Sequence, residues 1–302
     1  YAHRGPVRLN SWGRSWGLCP QLADVTMTVR NVFFHVHVRK CGGSTFYSQI
    51  LSRLFESAFF RDRSLIDDRY TRDQVSEILE NCPWLRAYSS HKISLDLPYD
   101  SKLARPIAIA FVRDPIERFY SHYRYVSQHH RSWDEDAQQK SLEEYTTHVI
   151  EQDWLQSQRQ FSQLEQLCGN RGASGLEDLS TYLQSEQVYL FPSERFDEAC
   201  LLLESLFPDE FSDCTYPHRV NQTRPIETLS PESQLQLQQA IEPEEFELNR
   251  LAHHLLDEAM ARTFRTQEDQ EHELTRFRKR CLNSARPGLW HRLTKMLTPV
   301  RA

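Results

Sequence analysis

Residues 31–46, Asn-Val-Phe-Phe-His-Val-His-Val-Arg-Lys-Cys-Gly-Gly-Ser-Thr-Phe, constrain the fold more than any other stretch. The aromatic and β-branched run predicts a strand over 32–38. Gly42, Gly43, Ser44 and Thr45 then predict a tight turn into a helix over 45–58. Strand, glycine-rich turn, helix N-terminus is the geometry that holds a phosphate. Glycines let the backbone approach the anion, leading N–H groups of the helix point at it, and the helix dipole favours its charge. Lys40 adds a mobile cation, and Ser44 and Thr45 add hydroxyl donors. The common nucleotide loop places its lysine after the last glycine. Here Lys40 precedes both glycines. A plain turn with a hydroxyl helix cap is the structural alternative for the same residues.

A second motif occupies 107–123, Ile-Ala-Ile-Ala-Phe-Val-Arg-Asp-Pro-Ile-Glu-Arg-Phe-Tyr-Ser-His-Tyr. Its wholly apolar start predicts a buried parallel strand over 107–112. Arg113 stands at the strand end. Asp114 and Pro115 fit an N-cap and first helical position, so a helix is expected over 115–128. Ser121 follows Arg113 by eight residues, about two helical turns. An Arg113–Asp114 ion pair with Ser121 as ordinary helix surface is the alternative reading.

Together and in this order, the two motifs resemble those of sulfotransferases that use 3′-phosphoadenosine 5′-phosphosulfate (PAPS), and in particular the Golgi-type carbohydrate O-sulfotransferases and their bacterial relatives. The resemblance covers roughly residues 30–225. It implies that Arg39, Lys40, Cys41, Gly42, Gly43, Ser44 and Thr45 form the 5′-phosphosulfate loop, and that Arg113 and Ser121 hold the 3′-phosphate. Tyr88-Ser89-Ser90-His91-Lys92, between the motifs, looks like the segment that carries the family's catalytic histidine. That implies His91 as the base that takes a proton from an acceptor hydroxyl, with Lys40 as the second catalytic group. Residues 188–198 and Asn221-Gln222-Thr223-Arg224-Pro225 resemble later family segments more loosely. One departure stands out: the family usually has proline before the loop lysine, and this chain has Arg39. The implied donor is PAPS, with no metal. The implied acceptor is a hydroxyl on an oligo- or polysaccharide, and the implied class is a PAPS-dependent O-sulfotransferase.

Alternation of strands and helices independently predicts an α/β fold. Strands are expected near 32–38, 86–90, 107–112 and 187–191. Between and after them lie helices near 45–58, 72–81, 115–128, 141–152, 155–167, 176–184 and 196–206, with a loop at 168–175. Such a pattern builds a central parallel sheet flanked by helices, P-loop-like, with ligands at the carboxyl ends of the strands. Lys40, His91 and Arg113 all fall at expected strand ends, so one cleft can hold all three. The expected organisation is an N-terminal extension over 1–30, an α/β domain over 31–225, and a helical C-terminal extension over 226–302 packed on the same domain. Pro231 and Pro243-Glu244-Glu245 mark helix starts there. Leu248, Leu251, Leu255 and Met260 form a packing stripe. From 274 the tail is basic, with Arg276, Arg278, Lys279, Arg280, Arg286, Arg292, Lys295 and Arg301. Either it meets an anionic acceptor, a membrane surface or a partner, or it docks as an ordinary terminal helix.

A net charge of −6 disfavours general nucleic-acid binding, so an anion site must be a local basic patch. No run of 18 apolar residues signals a transmembrane segment. The seven cysteines are scattered without C-x-x-C pairs, which suits reduced thiols and a cytoplasmic setting. The chain begins at Tyr1 rather than Met, so a catalytic domain cut from its anchor in the Golgi lumen is the alternative. Cys41 beside Lys40 is either a reactive thiol or a small residue fitting a tight turn. His35 and His37 share a strand face, and His129 and His130 are adjacent, but no Cys/His/Asp set completes a metal site. Tyr123, Tyr125 and Trp133 are candidates to stack on sugar rings, or to be core. Two other functions share the loop: a P-loop kinase of a small hydroxylated substrate, which would need Mg²⁺ and is disfavoured by the loop order, and a non-catalytic nucleotide-binding protein.

Overall fold

The computed structural model describes residues 29–62, 69–128, 139–217 and 228–284. Five strands, β1 (Arg30–Val36), β2 (Phe59–Arg61), β3 (Ala87–Ser90), β4 (Ala104–Val112) and β5 (Val188–Pro192), form one sheet. Their order is β2-β3-β1-β4-β5 and every neighbouring pair is parallel. β1, β3 and β4 are buried along nearly their whole length. That explains why their sequences run apolar rather than alternating. The chain builds one side of β1 first, then crosses to the other side for β4 and β5. The crevice at such a switch point opens at the strands' carboxyl ends.

The helices follow the expected spans closely. α1 covers 43–55, α2 is Arg72–Asn81, α3 is Pro115–Gln128, α4 is Leu142–Glu151, α5 is Trp154–Ser157 and α6 is Gln163–Cys168. α7 is Gly172–Leu183, α8 is Phe196–Leu206, α9 is Pro231–Ala240, α10 is Pro243–Thr263 and α11 is Gln267–Ser284. α2 starts at Thr71, whose side chain and that of Gln74 cap each other's backbone N–H groups. α3 starts as its sequence requires: Glu117 N–H donates to Asp114 Oδ1 at 3.0 Å, with Pro115 in the first turn.

Three expectations need correction, and one of two alternatives for the basic segment is decided. The helix after the phosphate loop ends at Phe55, its middle section Phe46–Leu51 is π-helical, and the edge strand β2 follows it. The single helix expected over 155–167 is broken at Arg159–Phe161, because the Arg118 guanidinium takes the carbonyls of Gln160 and Phe161 (2.8 Å to Phe161). The glycine-rich 168–175 stretch is only partly a loop, and α7 begins at Gly172. Its Gly175 is there for close packing, since a Cβ would lie 2.6 Å from Asn170 O and 3.1 Å from Leu164 Cβ. The basic segment of α11 is docked by ion pairs: Arg278 Nε bonds Asp197 at 3.0 Å, and Arg280 pairs with Glu204 and with Asp213 at 3.3 Å.

One core joins the sheet to α1, α6, α7, α8, α10 and α11, including Leu248, Ala252, Leu256, Met260 and Phe277. A second, smaller core lies beneath α3, α4 and α9 around Phe119, Tyr145, Phe161 and Leu237. No helix among the described residues is long and apolar enough to cross a membrane. The expectations for residues 1–28, His129, His130, Trp133, the 221–225 loop and the tail beyond 284 lie outside the described residues.

Candidate active site

All five strands run the same way, so their carboxyl ends share one edge. β1 delivers Arg39 and Lys40 there, β3 delivers His91 and Lys92, and β4 delivers Arg113. β2 delivers Arg61, and β5 delivers Ser193 and Glu194. The three residues that sequence reasoning placed in one cleft therefore stand on three adjacent strands.

The turn after β1 is tight. Lys40 and Gly42 both adopt left-handed backbone, with φ of 67° and 81°. Gly42 caps α1, and Thr45 N–H closes back on Gly42 O at 3.0 Å. Gly43 is held by close approach rather than by φ. A Cβ there would sit 2.4 Å from His37 Cδ2 and 2.8 Å from His35 Cε1. Ser193, from the end of β5, stands 3.8 Å from the position a Gly42 Cβ would take. Ser44 is half-buried and Thr45 is buried.

Arg39 replaces the expected proline for a reason visible in the fold. Its N–H donates to Gln166 Oε1 at 2.8 Å, a bond proline cannot make. Its carbonyl accepts from Arg118 Nε at 3.1 Å. Cys41 is buried, and its thiol donates to Gln163 Oε1 at 3.2 Å. Burial pushes that thiol up to about 12, so it stays protonated and the reactive reading fails.

Lys40 Nζ lies over the Tyr125 ring, 4.0 Å from its centroid. Burial, then the nearby Arg113, Arg124 and Arg118, bring the ammonium down to about 8. A cation crowded by other cations gains most from an anionic ligand. Arg113 is held at its backbone, where Gln163 Oε1 accepts its N–H and Gln163 Nε2 donates to its carbonyl, both at 2.9 Å. Its guanidinium pairs with Glu117 at 3.3 Å rather than with Asp114. Glu117 is half-exposed, so this pair is weak. Glu117, Ser121 and Tyr125 recur every four residues on one face of α3. Ser121 therefore lies between the group that pairs Arg113 and the ring beneath Lys40.

His91 is half-buried just beyond β3. Its Nδ1 is 2.6 Å from His37 O. A carbonyl only accepts, so Nδ1 carries the hydrogen and the neutral ring's lone pair is on Nε2. That is the tautomer a general base requires. Beside it, the Arg61 guanidinium lies 3.8 Å from the Tyr47 centroid, and Lys92 Nζ lies 4.4 Å from that of Tyr70. Tyr123 belongs to the second core and donates its hydroxyl to Lys140 O at 2.8 Å.

Sequence reading missed the brace behind these residues. Gln163 and Gln166, from α6, reach both phosphate motifs. The start of α6 is in turn capped by buried Glu245 of α10, which accepts from Ser162 Oγ at 2.8 Å, Gln163 N at 3.0 Å and Leu164 N at 3.1 Å. Glu245 was legible only as a first-turn acid of its own helix. No group of three or more metal-ligating side chains gathers among the described residues.

Residues 23–189 match the Sulfotransferase family. They make up 167 of the 302 residues, more than half of the chain. No curated protein matches. Among solved structures, a sulfotransferase from Alicyclobacillus acidocaldarius aligns with 13% identity and a TM-score of 0.44. The alignment covers 75% of this chain and 97% of that one, a likeness too distant to carry weight.

Proposed function

The chain belongs to the Sulfotransferase family, and from that premise we propose that it moves the sulfuryl group of PAPS to a hydroxyl of an oligo- or polysaccharide. The observation that carries the reading is the convergence of Lys40, His91 and Arg113 at the ends of β1, β3 and β4, with Lys40 crowded by arginines. Several cations meeting at a glycine-rich helix start, in a protein of net charge −6, suit a ligand with phosphates at both ends.

Residues 40–45 would cradle the 5′-phosphosulfate, with Ser44 and Thr45 as donors. Arg113 and Ser121 would grip the 3′-phosphate, which separates PAPS from ATP-like nucleotides. His91 Nε2 would take the acceptor's hydroxyl proton as that oxygen attacks sulfur in line. Lys40 would neutralise the charge growing on the bridging oxygen as 3′-phosphoadenosine 5′-phosphate departs. Positioning and electrostatics supply the rate. A transferred sulfuryl group carries less charge than a phosphoryl group, so the reaction needs no metal. On the acceptor side, Arg61 on Tyr47 and Lys92 on Tyr70 present cations and ring faces next to the base. That lining suits a hydroxyl-rich chain better than an apolar alcohol.

The test is release of 3′-phosphoadenosine 5′-phosphate from PAPS with a panel of polysaccharides. His91→Ala and Lys40→Ala should each lower turnover on the order of 10²-fold or more. Near-normal turnover in His91→Ala would remove the base assignment.

A further inference from the structure

Three imidazoles stack from the interior of the sheet to its edge. His35 is buried within β1, and its Nδ1 bonds Ser89 Oγ of β3 at 2.8 Å. His37, two residues on and on the same face, stacks on His35 with centroids 5.0 Å apart and planes 24° apart. His91 also stacks on His37, at 4.0 Å and 21°. His37 thus meets the proposed base twice, through its ring face and through the carbonyl that accepts from His91 Nδ1. Its far edge abuts Gly43 of the phosphate loop so closely that a Cβ there would overlap it. Tyr47 of α1 packs on it as well, at 5.4 Å.

We propose that His37 is the positioning residue for His91: its neutral ring and its backbone carbonyl together hold the base in the single tautomer whose Nε2 lone pair meets the acceptor. The inference rests on the assignment of His91 as base. A carbonyl alone fixes one point and leaves the ring to pivot about it. A second ring stacked in near-parallel fixes the plane. The Gly43 contact then ties that plane to the loop that would hold the donor. When His91 takes the proton, the charge appears against an aromatic face and a carbonyl oxygen, both stabilising.

His37 itself does not compete for that proton. Burial holds it well below the usual imidazole range, and His91, His35, Arg61 and Arg39 all disfavour a second charge there. His35 is held down to about 3, by burial first and then by His91. Phe46 and Phe111 pack on His35 and Tyr47 on His37, and Lys92 follows His91 in sequence. His35 and His37 are thus held neutral, and His91 is the ring of the stack left to act as base.

Nitrogen-15 NMR of the full chain labelled in histidine reads the tautomer directly, with His91 identified by its loss in His91→Gln. In the wild type, His91 should appear as one Nδ1–H tautomer in roughly tenfold excess over the other. His37→Ala should collapse that excess to a mixture, and His37→Phe, which keeps a neutral ring, should restore it. Gly43→Ala pushes on the same ring from the loop side and should also mix the tautomers, which keeps the test intact should His37→Ala fold poorly. In turnover, His37→Ala should lower kcat about tenfold with the donor KM little changed. A single Nδ1–H tautomer in both His37→Ala and Gly43→Ala would overturn the proposal, leaving the carbonyl as sufficient. Failure of His37→Phe to restore the tautomer would overturn the role of the ring. Neither outcome bears on whether PAPS binds, which fails or succeeds separately.

Discussion

The two sides of the proposed cleft differ in how far hydrogen bonds brace the segments that carry their cations. On the proposed donor side, the side-chain amides of Gln163 and Gln166 fix the backbones of Arg39 and Arg113 and the Cys41 thiol, and the Arg118 guanidinium donates to the Arg39 carbonyl. On the proposed acceptor side, Arg61 and Lys92 rest on the faces of Tyr47 and Tyr70, and neither pairs with a carboxylate among the described residues. Elsewhere the arginines pair with carboxylates as a rule, as Arg72 does with Asp96 and Arg86 with Glu210. The glutamine braces act on the backbone and the Cys41 thiol and leave the cations themselves to other partners, since the Arg113 guanidinium pairs with half-exposed Glu117 and Lys40 rests on Tyr125. A hydrogen-bonded frame admits one ligand geometry, whereas a cation on a ring can slide at little cost. The contrast suits one invariant donor facing an acceptor of variable shape.

Breaking the donor frame should have the larger effect. Gln163→Leu keeps volume but strands the N–H and carbonyl of Arg113 and the Cys41 thiol, so binding of 3′-phosphoadenosine 5′-phosphate should weaken about tenfold or more. The acceptor KM should not change, and steady-state kinetics in both substrates separates the two. If both constants moved together, the frame would serve the whole cleft and the contrast would dissolve. Arg61→Gln should act in the opposite sense, raising the acceptor KM about fivefold with donor affinity intact. Equal loss of donor affinity would place Arg61 on the wrong side.

A smaller effect sharpens the comparison through pH. Burial, with cations around it, brings Lys40 down to about 8 in the free protein. An anionic ligand favours the charged form, so binding takes up a proton near that pH. Above pH 8 the free lysine is neutral and affinity falls, about threefold across the unit of pH centred on 8. Calorimetry in two buffers of different ionisation enthalpy would show the uptake, and a pH-independent affinity would contradict it.

The strand ends were legible because their chemistry is local. The apolar run, Arg113, Asp114 and Pro115 together spell a strand, its end and a helix start, and α3 covers the span those residues predict. β2 was not legible, since three half-buried edge residues carry no periodic signal. Nor was the brace. Gln163 meets Cys41 across 122 residues and Arg113 across 50, and nothing in Ser-Gln-Leu-Glu-Gln-Leu marks a glutamine as a hub. Arg39 shows the same limit. As a sequence it reads as a missing proline; in the fold it is the N–H that Gln166 requires. The stack of His35, His37 and His91 was half visible, because alternation put the first two on one face but gave no sign that β3 would supply the third ring.

The central claim is that Arg113 and the Lys40 loop form one site for a nucleotide with phosphates at both ends. Calorimetric titration of 3′-phosphoadenosine 5′-phosphate into the wild type and Arg113→Ala, against ATP with Mg²⁺, tests it most directly. The account predicts tight binding of the bisphosphate, its loss in Arg113→Ala, and weak binding of Mg-ATP. No binding of the bisphosphate, or a preference for Mg-ATP, would contradict the account and make a kinase the better reading.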